Sequence, residues 1–312
     1  MTGTQRPSRG SSRRSEGAER RESAAAWGLA GPALIGLTLF LLLPFVVAAV
    51  LSLTNFRFNS PLPLRWTGLE NYTRLAADPG FRRALLNNAL FAAVIVPVQT
   101  SLALGLAVLV NRPLRRMLFF RTVIFMPVVY PMALVSVVWA LLLAPGPTGA
   151  LNQVLGALTL GAWEPRDFLH SPALAMPAIM LMSIWQGVGY QMVILLAGLQ
   201  AIPHELYEAA AIDRAGPWAQ FRHITLPQMR NPLLFVVMVT TILAFRLFDQ
   251  IWILTQGGPQ DSTTTVMFES FVAARDRNQV GLGAAMSVVC CAIVCAIALC
   301  QHFLARQERQ VT

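Results

Sequence analysis

Residues 201–227 read AIPHELYEAAAIDRAGPWAQFRHITLP, a polar, helix-forming stretch set between two long apolar segments. Pro203 suits the opening of a helix whose start carries His204, Glu205 and Glu208. Acidic side chains favour that end, because free backbone N–H groups and the positive pole of the helix dipole face them. Ala209, Ala210 and Ala211 keep the helix thin, so that a groove on a partner can take it in. Asp213–Pro217 breaks it, with Gly216 able to adopt φ > 0 and Pro217 suited to the first position of a second helix. Trp218 and Phe221 are three apart and share a face of that helix, and Leu226 and Pro227 end it. By periodicity alone the stretch reads equally as an ordinary amphipathic loop.

Composition says what flanks this loop. Of 312 residues, 55% are hydrophobic and 12% charged, too little charge to coat one soluble globule, so most of the surface must face lipid. The basic residues are all Arg, which removes the Lys of a Walker A loop and with it ATP hydrolysis by a P-loop of this chain. The net charge of +9 sits in tails and short loops, without the basic groove or interleaved aromatics of a nucleic-acid surface.

Read in order, residues 1–23 are rich in Arg, Ser and Gly and bury too little to fold, so they are expected to be a disordered tail. Residues 24–83 hold the first span, Trp27–Leu53, too long for a signal-peptide h-region, and a polar loop with a short surface helix. Pro44 inside that span is expected to kink the helix without ending it. A core of residues 84–304 follows. Span two is Asn87–Val110, with Pro97 and Gln99 in its interior, and span three is about Leu118–Leu143. Pro127 and Pro131 are expected to break span three, and a broken membrane helix usually lines a cavity. Span four is Pro172–Leu199, span five Pro232–Leu254 and span six Gly281–Leu304, before a short tail, 305–312. The fold class expected is an all-α integral membrane protein of six transmembrane helices.

Arg counts orient it. The N-terminal tail, second loop, 201–227 loop and C-terminus, counted with Arg121 at the near end of span three and Arg230 just before span five, hold 15 Arg, against 8 in the three opposite loops. Arg excess marks the cytosolic side, which puts both termini and residues 201–227 inside.

Polar groups at membrane depth are the candidates for solute chemistry, since an unpaired charge in hydrocarbon costs about 3 kcal/mol or more. Span five offers Arg246 and Asp249, three apart on one helical face, either a self-satisfied ion pair or a hydrogen-bonding edge for solute. Span four offers Trp185, Gln186, Gly187 and Tyr190. Gln186 and Tyr190 share a face, and Gly187 makes room beside them, although the pair Gly187 and Gly189 also suits tight helix packing. Amides with an aromatic face suit a sugar better than an ion. Cys290, Cys291, Cys295 and Cys300 read as small apolar packing, and no metal-ligand spacing or catalytic constellation is present.

The residues Glu208-Ala209-Ala210, Asp213, Ala215, Phe221, Ile224 and Leu226-Pro227 resemble the EAA coupling motif of bacterial ABC importer permeases. One position departs: the family usually has Gly after the Asp, and this chain has Arg214, so Gly216 is expected to supply the turn. IWQGVGYQMVILLAGLQAIP, AFRLFDQIWILTQGGP and TGLENY extend the likeness to the carbohydrate, maltose-type branch. The resemblance implies a type I importer permease fold in the cytoplasmic membrane, with 201–227 as a helix pair docking on a cytosolic ATPase dimer. Glu205, Glu208, Ala209, Ala210, Asp213, Ala215, Gly216, Phe221, Ile224, Leu226 and Pro227 would form that docking element. It also implies a second homologous permease subunit, an extracytoplasmic solute-binding protein, and ATP and Mg held by the ATPase, with no cofactor on this chain. Trp185, Gln186, Gly187, Tyr190, Arg246 and Asp249 would line the solute path. An ion-coupled secondary transporter, usually built of two inverted repeats, fits six spans with one polar helix pair poorly; a non-transporting scaffold needs no solute site at all.

Overall fold

The computed structural model describes residues 30–307 except 62, 113, 114 and 148. The Arg-rich segment 1–23 and the last five residues of the tail lie outside the described residues. Helices account for the regular structure: α1 (Ala30–Leu51), α2 (Glu70–Ala77), α3 (Pro79–Val110), α4 (Arg115–Phe125), α5 (Met132–Leu142), α6 (Ala150–Leu158), α7 (Ala175–Gln200), α8 (His204–Ile212), α9 (Pro217–Gln228), α10 (Arg230–Phe245), α11 (Asp249–Leu254), α12 (Val266–Arg275) and α13 (Val280–Gln307). Among the described residues α1, α3, α7 and α13 are each long and apolar enough to cross a membrane, and two bent pairs raise the count to as many as six.

Helix α1 stays continuous through Pro44, which has no N–H to offer the preceding turn. A wider π turn, Thr38–Leu42, sits just before it, with Leu43 N–H reaching Thr38 O, so that Pro44 is accommodated without ending the helix, as expected. Helix α3 starts at Pro79, eight residues before the expected Asn87. The Asp78 carboxylate caps it by accepting from Gly80 N–H at 2.8 Å, and Pro79 occupies the first turn.

The break expected in span three is present. α4 ends in a 3-10 turn, Met126–Val129, Pro131 caps α5, and the two halves bend by 98°. Span five departs from expectation. It begins at Arg230, after a 65° bend at Met229, and is interrupted at Arg246, Leu247 and Phe248 before α11 resumes. Leu226 and Pro227 therefore continue α9, which runs on to Gln228.

A backbone interrupted inside a membrane must find other hydrogen-bond partners. At this break they are side chains from elsewhere: Asn88 Nδ2 donates to Ala244 O at 3.2 Å, Thr265 Oγ1 to Leu247 O at 2.8 Å, and Cys290 Sγ to Phe245 O at 3.7 Å. Cys290 thus adds a weak donor to the apolar packing read from the sequence.

Among the described residues, most buried apolar side chains fall into two clusters. One holds Phe91, Ile95, Met182, Ala244 and Ile251; the other holds Ala103, Met192, Leu195, Met229 and Val236. On α3, α7 and α10 alike, the chain passes from one cluster to the other through a short interval that holds polar residues: Gln99 on α3, Ser183, Gln186, Tyr190 and Gln191 on α7, and Thr240 on α10.

Candidate functional site

That interval contains a cavity of about 470 Å³, walled by α3, α7, α10, the break in span five and α11. Its polar lining is Gln99, Ser183, Gln186, Tyr190, Gln191, Thr240 and Gln250, with Arg246 and Asp249 at the break; Phe91, Ile95, Val236 and Leu243 are among its apolar walls. Amides and hydroxyls supply donors and acceptors without net charge, and Arg246 and Asp249 offset each other.

Several of these groups are pinned. Gln191 donates from Nε2 to Thr240 Oγ1 at 2.6 Å, and Thr240 donates in turn to Val236 O at 2.7 Å. Ser183 Oγ donates to Ile179 O at 2.8 Å and accepts a long 3.4 Å contact from Gln250 Nε2. The bond between Gln191 and Thr240 ties α7 to α10 directly across the buried layer.

Of the residues named from the sequence, Gln186, Gly187, Tyr190, Arg246 and Asp249 line this cavity, and Trp185 does not. Trp185 packs against Trp139 with ring centroids 5.8 Å apart and is 46% exposed, on the outward side of α7. Arg246 and Asp249 do not share a helical face: Arg246 caps α10 and Asp249 opens α11. Both are exposed and, among the described residues, no ion pair joins them. Gly187 and Gly189 have different roles. A methyl on Gly187 would lie 2.5 Å from Gln99 Nε2, so the room it leaves is filled by a cavity amide, whereas one on Gly189 would lie 2.2 Å from Ile124 O, in backbone packing. Gln191 belongs to the same polar run of span four as Gln186 and Tyr190, and the structure adds Gln99, Ser183, Thr240 and Gln250, polar side chains within apolar spans, the signal that marks intramembrane sites.

In the 201–227 loop, α8 follows Pro203 and α9 opens at Pro217, whose chain takes a π turn over Phe221–Thr225. His204 Nδ1 and Glu208 Oε1 lie 3.0 Å apart, and Tyr207 and Thr225 share a 2.9 Å hydroxyl contact between the two helices. Trp218 stacks on Phe221 with centroids 5.6 Å apart. The turn is made by Arg214 at φ 57°, with Ala215 N–H closing on Ala210 O at 2.9 Å, while Gly216 is extended at φ −67°. The expectation that Gly216 supplies the turn is thereby corrected: the left-handed residue directly follows Asp213, so Arg214 takes the conformation itself. Ile212 and Trp218 stand 83% and 71% exposed.

Residues 99–308, which include the broken helices, most of the cavity wall and the polar loop, match the family described as binding-protein-dependent transport system inner membrane component. The chain belongs to that family. The permease is 37% identical over 272 residues to the probable ABC transporter permease protein YurN of Bacillus subtilis, covering 86% of this chain and 92% of that protein. It is 35% identical over 270 residues to the diacetylchitobiose uptake system permease protein NgcF of Streptomyces coelicolor, covering 83% and 76%. Its fold is that of a chain in the crystal structure of a bacterial ABC transporter involved in import of the acidic polysaccharide alginate, with a TM-score of 0.80, 19% identity, and 93% and 98% of the two chains covered.

Proposed function

We propose that this permease carries a sugar or sugar-like solute across the cytoplasmic membrane by alternating access, as one of two homologous permease subunits. The observation that carries the substrate class is the cavity lining: seven neutral amide and hydroxyl side chains, with a single Arg offset by a single Asp. Such a wall can pair with many hydroxyls and has no net charge to hold an ion. The relative named for diacetylchitobiose uptake supports the same class.

Each bent pair is one span in this reading, which gives six spans and both termini in the cytosol. The pair α8 and α9 is the coupling element, seated on an ATPase dimer that holds ATP and Mg, with Glu208, the Ala209–Ala211 face and the uncovered Ile212 and Trp218 at the contact. The permease itself is non-catalytic; ATP binding by the ATPase and the arrival of a loaded solute-binding protein shift it between two packings.

The test is reconstitution of the permease with its sister subunit, ATPase and solute-binding protein in liposomes, with radiolabelled maltose, lactose and diacetylchitobiose offered in turn. ATP-dependent accumulation of at least one is expected. Accumulation driven by an ion gradient with the ATPase omitted, or transport of none of the sugars alongside uptake of a labelled ion, would overturn the reading.

A further inference from the structure

The interruption that presents Arg246 and Asp249 to the cavity is held by a residue outside it. Asn88, on α3, is completely enclosed. Its Nδ2 donates to Ala244 O at 3.2 Å and its Oδ1 accepts from Val266 N–H at 2.9 Å. Ala244 O is one of the terminal carbonyls of α10 that the helix cannot satisfy, and Val266 N–H is the first, equally unserved, donor of α12. A carbonyl only accepts and an N–H only donates, so both ends of the amide are fixed by their partners.

We infer that Asn88 is a positioning residue for solute passage: by joining the end of α10 to the start of α12, it keeps span five broken at Arg246, Leu247 and Phe248. Neighbouring bonds act in the same sense. Asn87 Nδ2 donates to Asp261 O at 3.0 Å and Thr264 O at 2.9 Å, and Thr265 Oγ1 holds Leu247 O. Without Asn88 and Thr265, the carbonyls of Ala244 and Leu247 lose these donors, and the nearest backbone replacements are the N–H groups of the next helical turn. Rewinding would consume the break and move Arg246 and Asp249 from their present places in the wall. The inference rests on the proposal that this cavity is the solute path.

Because fewer assembled complexes lower uptake and ATP hydrolysis in proportion, the readout is the amount of solute transported per ATP hydrolysed by the reconstituted complex. The probe is whichever radiolabelled disaccharide of the three above accumulates fastest. Asn88→Ala is expected to lower that ratio roughly tenfold, and Asn88→Ser, which differs from it by one hydroxyl able to donate and accept, to recover much of it. Thr265→Val strips the donor from Leu247 O by a separate route and is expected to give a similar fall, should Asn88→Ala not assemble. Wild-type ratios for Asn88→Ala and Thr265→Val beside a lowered ratio for Asp249→Asn would overturn the role of Asn88 and leave the cavity standing. A wild-type ratio for Asp249→Asn as well would bring down both.

Discussion

Gln191 Nε2 lies 2.6 Å from Thr240 Oγ1, so that α7 and α10 are joined by a buried side-chain hydrogen bond at the level of the cavity. The hydroxyl proton of Thr240 is already given to Val236 O, and Thr240 can only accept from the amide. Thr240→Val keeps the shape and removes the acceptor, leaving a buried amide N–H without a partner. A loss of about 1–3 kcal/mol is expected, read as a lower thermal midpoint of the purified permease in detergent. An unchanged midpoint would show that the amide finds another partner at no cost.

Arg214 and Gly216 make a paired prediction. A side chain in the left-handed region costs roughly 1–2 kcal/mol, and Arg214 is at φ 57°, so Arg214→Gly should hold or raise the midpoint. Arg214→Val should lower it, since branching at Cβ worsens the same clash. Gly216 is extended and has open space around it, so Gly216→Ala should change stability by under about 0.5 kcal/mol. A larger loss at 216 than at 214 would contradict the turn geometry.

Gly187→Ala and Gly189→Ala should separate function from assembly. The methyl at 189 meets the backbone of Ile124, which cannot step aside without moving the bent span, and a cost of about 1–3 kcal/mol is expected. The methyl at 187 meets only the end of the Gln99 side chain, which can rotate away. Its stability should stay near wild type while solute selectivity, measured as the ratio of uptake rates for two sugars, changes.

Arg246 and Asp249 are exposed to the cavity and are not each other's partner. Replacing either by Ala leaves no widowed buried charge, so assembly should persist with a stability change within about 1 kcal/mol. Uptake at fixed ATPase content should fall severalfold. Full uptake in both variants would remove them from the solute path.

Glu208 shares a contact with His204 at 3.0 Å, both side chains being largely solvent-exposed. Such an exposed pair adds little to folding, so Glu208→Lys should leave the midpoint within about 1 kcal/mol of wild type. Uptake coupled to ATP hydrolysis should nevertheless collapse, because the reversed charge faces the proposed ATPase contact. Normal uptake with normally stimulated hydrolysis would refute that role.

Much of this was legible in the chain itself. Long apolar runs, the Arg asymmetry and the polar 201–227 loop are local properties, and lipid enforces them: each spanning segment must satisfy its own backbone by coiling. The double proline at 127 and 131 announced its break for the same local reason, since proline lacks a donor and clashes with the preceding turn.

Span five carries no proline or glycine at its interruption, and nothing between Phe245 and Asp249 announces one. Its break exists because Asn88, Thr265 and Cys290 bring donors to carbonyls 18 to 156 positions away in sequence. The same tertiary meeting gathered Gln99, Gln191 and Thr240 into one layer and turned Trp185 away from it. The sequence alone therefore determined that the chain is helical and built of long apolar segments, and where its polar 201–227 loop lies. Only the packed structure decided where a helix could come apart, because a backbone group freed in hydrocarbon needs a partner that its own neighbours in sequence do not supply.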